Sequence, residues 1–350
     1  MHQIIFSKYI FFIIFQIILN LFLFYNYRKI SNKINILDIP NSRKVHKKHV
    51  PLLGGLFLFI NLFFLYLFDY FFLKKIFYFE FHLYNFKLSF IFITTVSTIF
   101  LFGLLDDKYN ISYEKKLFVL LLVLFLNISI DEGLQINNLK FSFYNLELFL
   151  LSKATIFSIF CFIIYLNAVN MFDGINLQTS ITFSIIYIFF IYNNIYIYFS
   201  IFIIIYLIFF SMKNFYGQIF FGDSGTLLIG YLTGFLLVKN HNIFGQNFFE
   251  YSDYVVSFML LPILDLLRQF INRTINGKNP FYPDDNHLHH RLKKKYNYQL
   301  SLIIIVTLFS IPIFANIITD FKMNIHLLLI SSSIYFILIY ITRRKNTEGF

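Results

Sequence analysis

The chain alternates long apolar runs with short polar segments along its whole length. A membrane-spanning helix needs about 20 predominantly apolar residues, so the runs of roughly this length predict spans, with ends good to a few residues. The eleven predicted spans are residues 4–25, 52–72, 88–105, 117–130, 154–170, 177–192, 195–212, 226–238, 254–271, 300–318 and 325–342. The pattern predicts an all-α polytopic integral membrane protein, with residues 1–350 forming one membrane domain.

Composition agrees with a membrane protein. Of the 350 residues, 58% are hydrophobic, 22% are aromatic and only 13% are charged, and the mean hydropathy is +0.68, well above the apolar share of soluble domains. With 52 Phe and no Trp, an aromatic stripe indicates little about ligands. The single cysteine, Cys161, excludes an intrachain disulfide and a thiolate metal cluster.

Charge placement predicts the orientation. The first apolar run is too long for a signal-peptide core and lacks a small-residue cleavage site, and its nearest strong charges, Arg28 and Lys29, follow it. With the N-terminus outside, alternation puts 21 of the 29 Lys and Arg residues and the C-terminus in the cytoplasm, as the positive-inside rule requires. The formal charge of +11 therefore indicates cytoplasmic loops and not nucleic-acid binding. If the short span 117–130 or the turn at 193–194 were wrongly predicted, every later loop would lie on the other side of the membrane.

The same alternation places five polar segments on the cytoplasmic face. They are residues 38–55, 103–112, 167–176, 214–225 and 273–292, within predicted active-site loops at about 28–51, 103–116, 167–177, 212–226 and 268–299. The outside loops 131–152 and 239–253 show no comparable clustering. The polar chemistry is predicted to lie on one face of one domain.

Four carboxylates in these segments suggest a cation site. Asp106 and Asp107 are adjacent, and two ionised carboxylates are stable together only if water, a base or a divalent cation shares their charge. Mg²⁺ suits such a pair because it is usually held by one or two carboxylates and substrate phosphates. Seen alone, the pair is equally typical of a hydrated helix end. Asp173 and Asp223 in two further segments strengthen the cation reading.

The sequence around Asp223 suits either a phosphate site or a helix start. Gly222 and Gly225 flank the carboxylate and permit close backbone approach. Ser224 and Thr226 can donate to a phosphate or cap the following helix. Both readings stay open from the motif alone.

Basic and histidine residues supply the other half of a phosphate site. The bases are Arg43, Lys44, His46, Lys116, Arg268, Arg273 and Arg291, each of which alone could be an ordinary inside-facing charge. His287, His289 and His290 share one loop without an HExxH motif, so contact with phosphate or sugar is favoured over zinc. A purely structural loop is the alternative. Asp265, an acid inside a predicted span, is either functional or ion-paired with Arg268.

The five segments resemble, in order along nearly the whole chain, the motif set of the polyprenyl-phosphate N-acetylhexosamine-1-phosphate transferases of glycosyltransferase family 4. The matching residues of the first four segments are Asp38, Pro40, Arg43, Lys44, His46, Pro51, Gly54, Gly55, Asp106, Asp107, Asn167, Asn170, Asp173, Gly174, Gly222, Asp223, Gly225 and Gly230. One such motif is weak, whereas five in order are specific.

The last loop resembles the WecA-like branch, which takes small UDP-N-acetylhexosamines. It reads HLHH at residues 287–290, whereas the MraY branch, whose donor is UDP-muramoyl-pentapeptide, has three consecutive histidines. Two departures stand out. The family's DGxDG motif here has Asn176 and Leu177 in its last two positions, and the NFxPA motif is shortened after Asn214, where Gly217 follows without a proline.

The resemblance implies an enzyme that transfers N-acetylhexosamine-1-phosphate from a UDP-sugar to polyprenyl phosphate in the bacterial cytoplasmic membrane. It implies Mg²⁺, with Mn²⁺ as an alternative, held by Asp223 and Asp107, and catalytic roles for Asp106, Asp107 and His290. The substrate-binding residues it implies are Arg43, Lys44, His46, Lys116, Asn170, Asp173, Asn176, Asn214, His287, His289 and Arg291. The product would start a lipid-linked surface glycan such as a cell-wall or O-antigen polysaccharide. Two alternative functions are an MraY-type enzyme and a membrane transporter. Assembly as a homodimer is left open by the sequence.

Overall fold

The protein is mostly helical, at 78%. The computed structural model describes residues 2–40, 48–73, 76–243, 250–281, 284–318 and 324–342. The helices are α1 (His2–Tyr25), α2 (Tyr27–Ile34), α3 (Gly54–Phe68), α4 (Phe86–Tyr109), α5 (Tyr113–Ile130), α6 (Ala154–Phe172), α7 (Gln178–Tyr192), α8 (Ile197–Phe215), α9 (Gly222–Ile243), α10 (Ser252–Ser257), α11 (Leu260–Ile275), α12 (Leu288–Lys295), α13 (Tyr298–Ile318) and α14 (Asn324–Ile341).

Short elements fill the connections. Strands β1 (Leu37–Asp38) and β2 (Val50–Pro51) pair antiparallel, and β3 (Asn138–Phe141) and β4 (Tyr144–Phe149) form a hairpin. The π-helical turns Asp69–Leu73 and Ile76–Glu80 follow α3, and the 3₁₀ turns Glu132–Leu134 and Leu151–Lys153 flank the hairpin.

Every predicted span coincides with a helix. The predicted span 254–271 is interrupted between α10 and α11. Pro262, in the first turn of α11, has no N–H to donate to a carbonyl of the preceding turn. Six helical stretches of the described chain are long and apolar enough to cross a membrane, and the pair α1–α2, bent by 63°, makes up to seven. The multi-pass helical architecture is therefore confirmed, whereas the number of eleven and the orientation of the termini stay predictions.

Helix α9 lies at the centre and packs against α3, α4 and α6. Its residues are buried on all sides from Ser224 to His241, as expected of a helix that is apolar around its circumference. Gly103 of α4 lies against the first turn of α9, where an added Cβ would come within 2.5 Å of the Ser224 Cα. This close approach brings the end of α4 to the start of α9.

The opposite end of α9 carries a polar cluster that the sequence pattern did not reveal. Lys239 donates to Asp131 over 2.7 Å, and both side chains are almost fully buried. Nearby, Asp253 accepts from the backbone and hydroxyl of Ser142 and from Asn324. Thus the loops 131–152 and 239–253 do bring polar residues together, in contacts that tie the helix ends to the hairpin.

Candidate active site

The five polar segments meet around one cavity of about 950 Å³, a volume typical of small-molecule sites. Predicted site residues that line it are Asp106, Asp107, Asn170, Asp173, Asn176, Asn214, Asp223, His287, His289 and His290. Part of the first segment, including Asp38 and Leu52, contributes as well. The polar segments therefore converge on one cavity, as their predicted placement on one face requires.

The two adjacent aspartates, Asp106 and Asp107, make different contacts. Both oxygens of Asp107 accept from the start of α9: Oδ1 from the Asp223 N–H at 2.6 Å, and Oδ2 from the N–H and hydroxyl of Ser224 at 3.1 and 2.7 Å. Asp107 thus caps α9 from another helix, satisfying N–H groups that a helix start leaves without partners. Gly222, at φ +74°, fits beneath this carboxylate, because a Cβ there would lie 2.6 Å from Oδ2.

Asp106 faces Lys116 and Asp223. The Lys116 ammonium donates to Asp106 Oδ2 at 2.5 Å and also contacts Asp223 Oδ2. Burial alone would raise the pKa of Asp223, but the Lys116 ammonium outweighs it and holds that pKa below its usual value. Since the Asp223 side chain is 34% exposed and lines the cavity, the cavity wall carries an ionised carboxylate at neutral pH.

Asn170 and Asp173, near the end of α6, extend this network. With its amide nitrogen toward Asp223, Asn170 donates to Asp223 Oδ1 at 3.0 Å, and its oxygen accepts from Lys116 at 3.1 Å. Asp173 accepts from the Thr179 hydroxyl at 2.6 Å. Burial raises the pKa of Asp173 to about 6, so this carboxyl becomes protonated just below neutral pH.

Asn214 and Tyr298 fix the turn that carries Asn176. Asn214 accepts from the Leu177 N–H at 2.6 Å and donates to the Ile219 carbonyl at 2.9 Å, tying the two loops together. The Tyr298 hydroxyl donates to the Asn176 carbonyl at 2.7 Å. The amide of Asn176 is thereby presented at the cavity wall.

Leu177 stands in this turn with a left-handed backbone, at φ 66°, where the family's DGxDG motif has glycine. A β-branched residue is a poorer fit than leucine to this conformation, and glycine a better one. We expect thermal stability in detergent to decrease in the order Leu177→Gly, wild type, Leu177→Val, with Leu177→Val costing about 1 kcal/mol or more. The reverse ranking, with Leu177→Gly least stable, would mean that the half-buried leucine side chain outweighs the backbone strain.

The histidine segment begins α12 and is anchored from α11. His287 Nδ1 lies 2.7 Å from Asp265 Oδ2, and the rings of His287 and His289 stack at 5.7 Å. His289 packs on Gly174, where a Cβ would come within 2.0 Å of Nε2. Burial and the neighbouring His290 and His287 charges lower the pKa of His289 well below its usual value, so its ring is neutral at pH 7. Burial lowers the pKa of His290 too.

The predicted arginines anchor the loop instead of lining the cavity. Arg268 contacts Asp265 at 2.8 Å and Arg273 contacts Asp284 at 2.7 Å. Arg291 donates to the carbonyls of Asn286 and Ile339. Lys116 lies behind the wall and acts on it through Asp106 and Asp223. The predicted Arg43, Lys44 and His46 lie outside the described residues.

Several residues that hold the site in place could not be recognised from the sequence. Tyr335, which donates to Asp265, sits in an apolar run 70 positions away in the chain. Gln269, which donates to Asp284, and Tyr298 look like ordinary helix residues. Only the spacing of Asp265, Arg268 and Gln269 along one face of α11 could have suggested an anchor.

The donor set suits a hard cation, although the protein side chains do not by themselves form a cage. Among the described residues, no three His, Cys, Asp or Glu side chains form a metal-binding group. Asp106 and Asp223 nevertheless already share one cationic partner, Lys116. Since Mg²⁺ is usually held by one or two carboxylates together with substrate phosphates, this pair fits it.

Comparison with other proteins points to one family. A family model described as "Glycosyl transferase family 4" matches residues 88–241, from α4 through almost all of α9. Over this segment the chain is similar to glycosyl transferase family 4. The matched segment holds Asp106, Asp107, Asp173 and Asp223, whereas the histidine segment lies beyond it.

Relatives extend the similarity over most of the chain. The undecaprenyl-phosphate alpha-N-acetylglucosaminyl 1-phosphate transferase of Thermotoga maritima is 27% identical over 320 residues, 89% of this chain and 87% of that protein. The protein of the same name from Yersinia pestis is 24% identical, over 80% and 76% of the two chains. A probable undecaprenyl-phosphate N-acetylglucosaminyl 1-phosphate transferase of Bacillus subtilis is 26% identical, over 79% and 75%. The family 4 resemblance is therefore not confined to the matched segment.

Proposed function

We propose that the protein transfers N-acetylhexosamine-1-phosphate, with GlcNAc-1-phosphate as first choice, from a UDP-sugar to a polyprenyl phosphate such as undecaprenyl phosphate. An acceptor phosphate oxygen attacks the phosphorus that bears the sugar, and the bond from that phosphorus to the bridging oxygen breaks. UMP leaves with the electron pair, and the lipid keeps a pyrophosphoryl sugar. The observation that carries the proposal is the meeting of all five polar segments at one cavity in a multi-pass membrane protein, supported by the names of the relatives.

Asp223 and Asp106 are the residues that would hold Mg²⁺. Asp107, the other position expected from sequence, is engaged through both oxygens with the start of α9, so the second carboxylate is assigned to Asp106. Held there, Mg²⁺ would supply charge compensation for the donor pyrophosphate and the leaving phosphate. Asp107 then acts by fixing the position of Asp223.

Little base catalysis is needed at the acceptor. A phosphate monoester has a second pKa of about 6, so much of the lipid phosphate is dianionic at neutral pH. Catalysis then rests on positioning and charge compensation, as in other phosphoryl transfers. Asp106 and Lys116 are proposed to contribute here by setting the charge around Asp223.

Polar groups along the rest of the cavity suit the donor. Asn170, Asp173 and Asn176 offer amide and carboxyl groups for the nucleotide, while Asn214 holds their turn in place. His287 and His290, which also line the cavity, are proposed to contact phosphate or sugar, next to the neutral His289. The predicted Arg43, Lys44 and His46 are proposed to add phosphate contacts from the first loop.

The proposed cellular setting is the bacterial cytoplasmic membrane. UDP-sugars are made in the cytoplasm, and the excess of Arg and Lys in the loops that carry the polar segments supports a cytoplasmic cavity. The lipid-linked product would start a surface polysaccharide.

The decisive experiment incubates purified protein with undecaprenyl phosphate, Mg²⁺ and a panel of UDP-N-acetyl sugars. We expect UMP release and transfer of labelled sugar to the lipid phase in equal amounts. Both should stop with EDTA and return with Mg²⁺ or Mn²⁺, because the carboxylate pair suits a hard divalent cation.

Other outcomes would assign a different activity. Competition by UDP-muramoyl-pentapeptide, without use of UDP-GlcNAc, would identify an MraY-type enzyme. Transport into vesicles without UMP release would replace the transferase by a transporter.

A further inference from the structure

A buried carboxylate in the middle of α11 is not explained by the proposed reaction. Asp265 lies in the apolar stretch LLPILDLL and is only 4% exposed. An acid in such a helix is costly unless its charge is compensated. Its partners therefore decide what it does.

Asp265 receives hydrogen bonds from three parts of the fold. Oδ1 accepts from Arg268 and from the Tyr335 hydroxyl, each at 2.8 Å. Oδ2 lies 2.7 Å from His287 Nδ1, and the Leu288 N–H approaches both oxygens at 3.2 and 3.3 Å. A carboxylate with this many donors is held ionised and in one orientation.

This geometry fixes the histidine ring. An ionised carboxylate only accepts hydrogen bonds, so His287 Nδ1 must carry a hydrogen. Nε2, on the far edge of the ring, is then the nitrogen available to the cavity that His287 lines. Stacking on His289, with the two ring planes 3° apart, leaves the His287 ring little freedom to turn.

We propose that Asp265 is a positioning residue that fixes the tautomer and orientation of His287, so that Nε2 of the ring is held toward the phosphate or sugar of the bound substrate. The inference rests on the proposed transferase function and deepens it by naming the group that positions one substrate contact. Arg268 alone would neutralise Asp265, so an ion pair does not explain why the remaining oxygen is aimed at a histidine in the cavity wall. Carboxylate-oriented imidazoles of this kind recur where a histidine must keep one tautomer.

The test measures kcat and KM of Asp265→Asn, His287→Gln and the double variant at neutral pH. Asparagine can turn either its oxygen or its N–H toward Nδ1, so the ring tautomer is no longer fixed. We therefore expect kcat of Asp265→Asn to fall about 10- to 100-fold, with a much smaller change in KM. His287→Gln should lose about 100-fold at pH 7. The double variant should be no worse than His287→Gln, because Asp265 acts through that ring.

Asp253→Asn is the matched control. It places an amide at a buried helical aspartate at the other end of the molecule and should leave kcat unchanged. If Asp265→Asn is not recovered as folded protein, the combination with Arg268→Gln avoids an unpaired buried charge and should give the same loss of kcat.

The outcomes separate the inference from the proposed function. A wild-type protein that makes no lipid product overturns the transferase proposal itself. An active wild type, with an Asp265→Asn loss that multiplies with the His287→Gln loss, shows a purely structural aspartate and overturns the inference.

Discussion

Replacement of Asp223 by asparagine is expected to reduce lipid-product formation about a thousandfold, the loss typical of removing a group that stabilises charge directly. The substitution keeps the shape of the side chain but removes the anion that faces the cavity and pairs with Lys116. Since an amide oxygen is a weak ligand for Mg²⁺, apparent affinity for the cation should fall with the rate. The measurement is kcat as a function of Mg²⁺ concentration at equal amounts of folded protein.

Two other aspartates make this result interpretable. Asp107→Asn retains an oxygen that can accept from the start of α9, so we expect a smaller loss, about tenfold, with little change in cation dependence. Asp253→Asn, at the other end of the helices, should be silent. Full activity of Asp223→Asn at ordinary Mg²⁺ concentration would remove Asp223 from the proposed cation site.

Replacement of Lys116 by methionine is expected to have the second largest effect, a loss of about 100-fold or more. The ammonium lies between Asp106 and Asp223, and its removal leaves two neighbouring carboxylates that repel each other. One of them must then take up a proton or move. The loss should therefore be larger at pH 6 than at pH 8, because a carboxyl that has taken up a proton can no longer serve the cation site, and this is measured as a variant to wild-type ratio.

The adjacent Lys115 provides the control. It is exposed on the first turn of α5, so Lys115→Met removes the same charge from the same loop without touching either carboxylate. Similar losses for the two lysines would indicate a general effect of loop charge. A loss confined to Lys116, but independent of pH, would contradict the shared role of its ammonium.

The convergence of the site was predictable from sequence because helices that alternate across a membrane return their loops to the same face. That rule needs only the lengths of the apolar runs and the positions of Arg and Lys. It placed Asp106, Asp173, Asp223 and His287 together although they are far apart in the chain, and all four line the same cavity.

The separate roles of the individual site residues were not predictable from the sequence. Neighbouring positions on an α-helix point about 100° apart, so Asp106 and Asp107 must face different partners. Which of them meets Lys116 depends on the rotation of α4, set by the close contact of Gly103 with α9. Likewise, the contact between Tyr335 and Asp265 depends on how α14 packs on α11, and no local pattern encodes it.

Charged residues at both ends join α5 to α9. Lys116 meets Asp223 at one end, Asn127 accepts from Tyr231 between them, and Asp131 meets Lys239 at the other end. The two ionic contacts are separated by about 22 Å along α5 and about 24 Å along α9. A pair of helices pinned at both ends cannot slide to follow a thinner or thicker bilayer. Changes in lipid chain length should therefore be taken up by the outer helices, and the depth of the reacting carboxylates should stay constant.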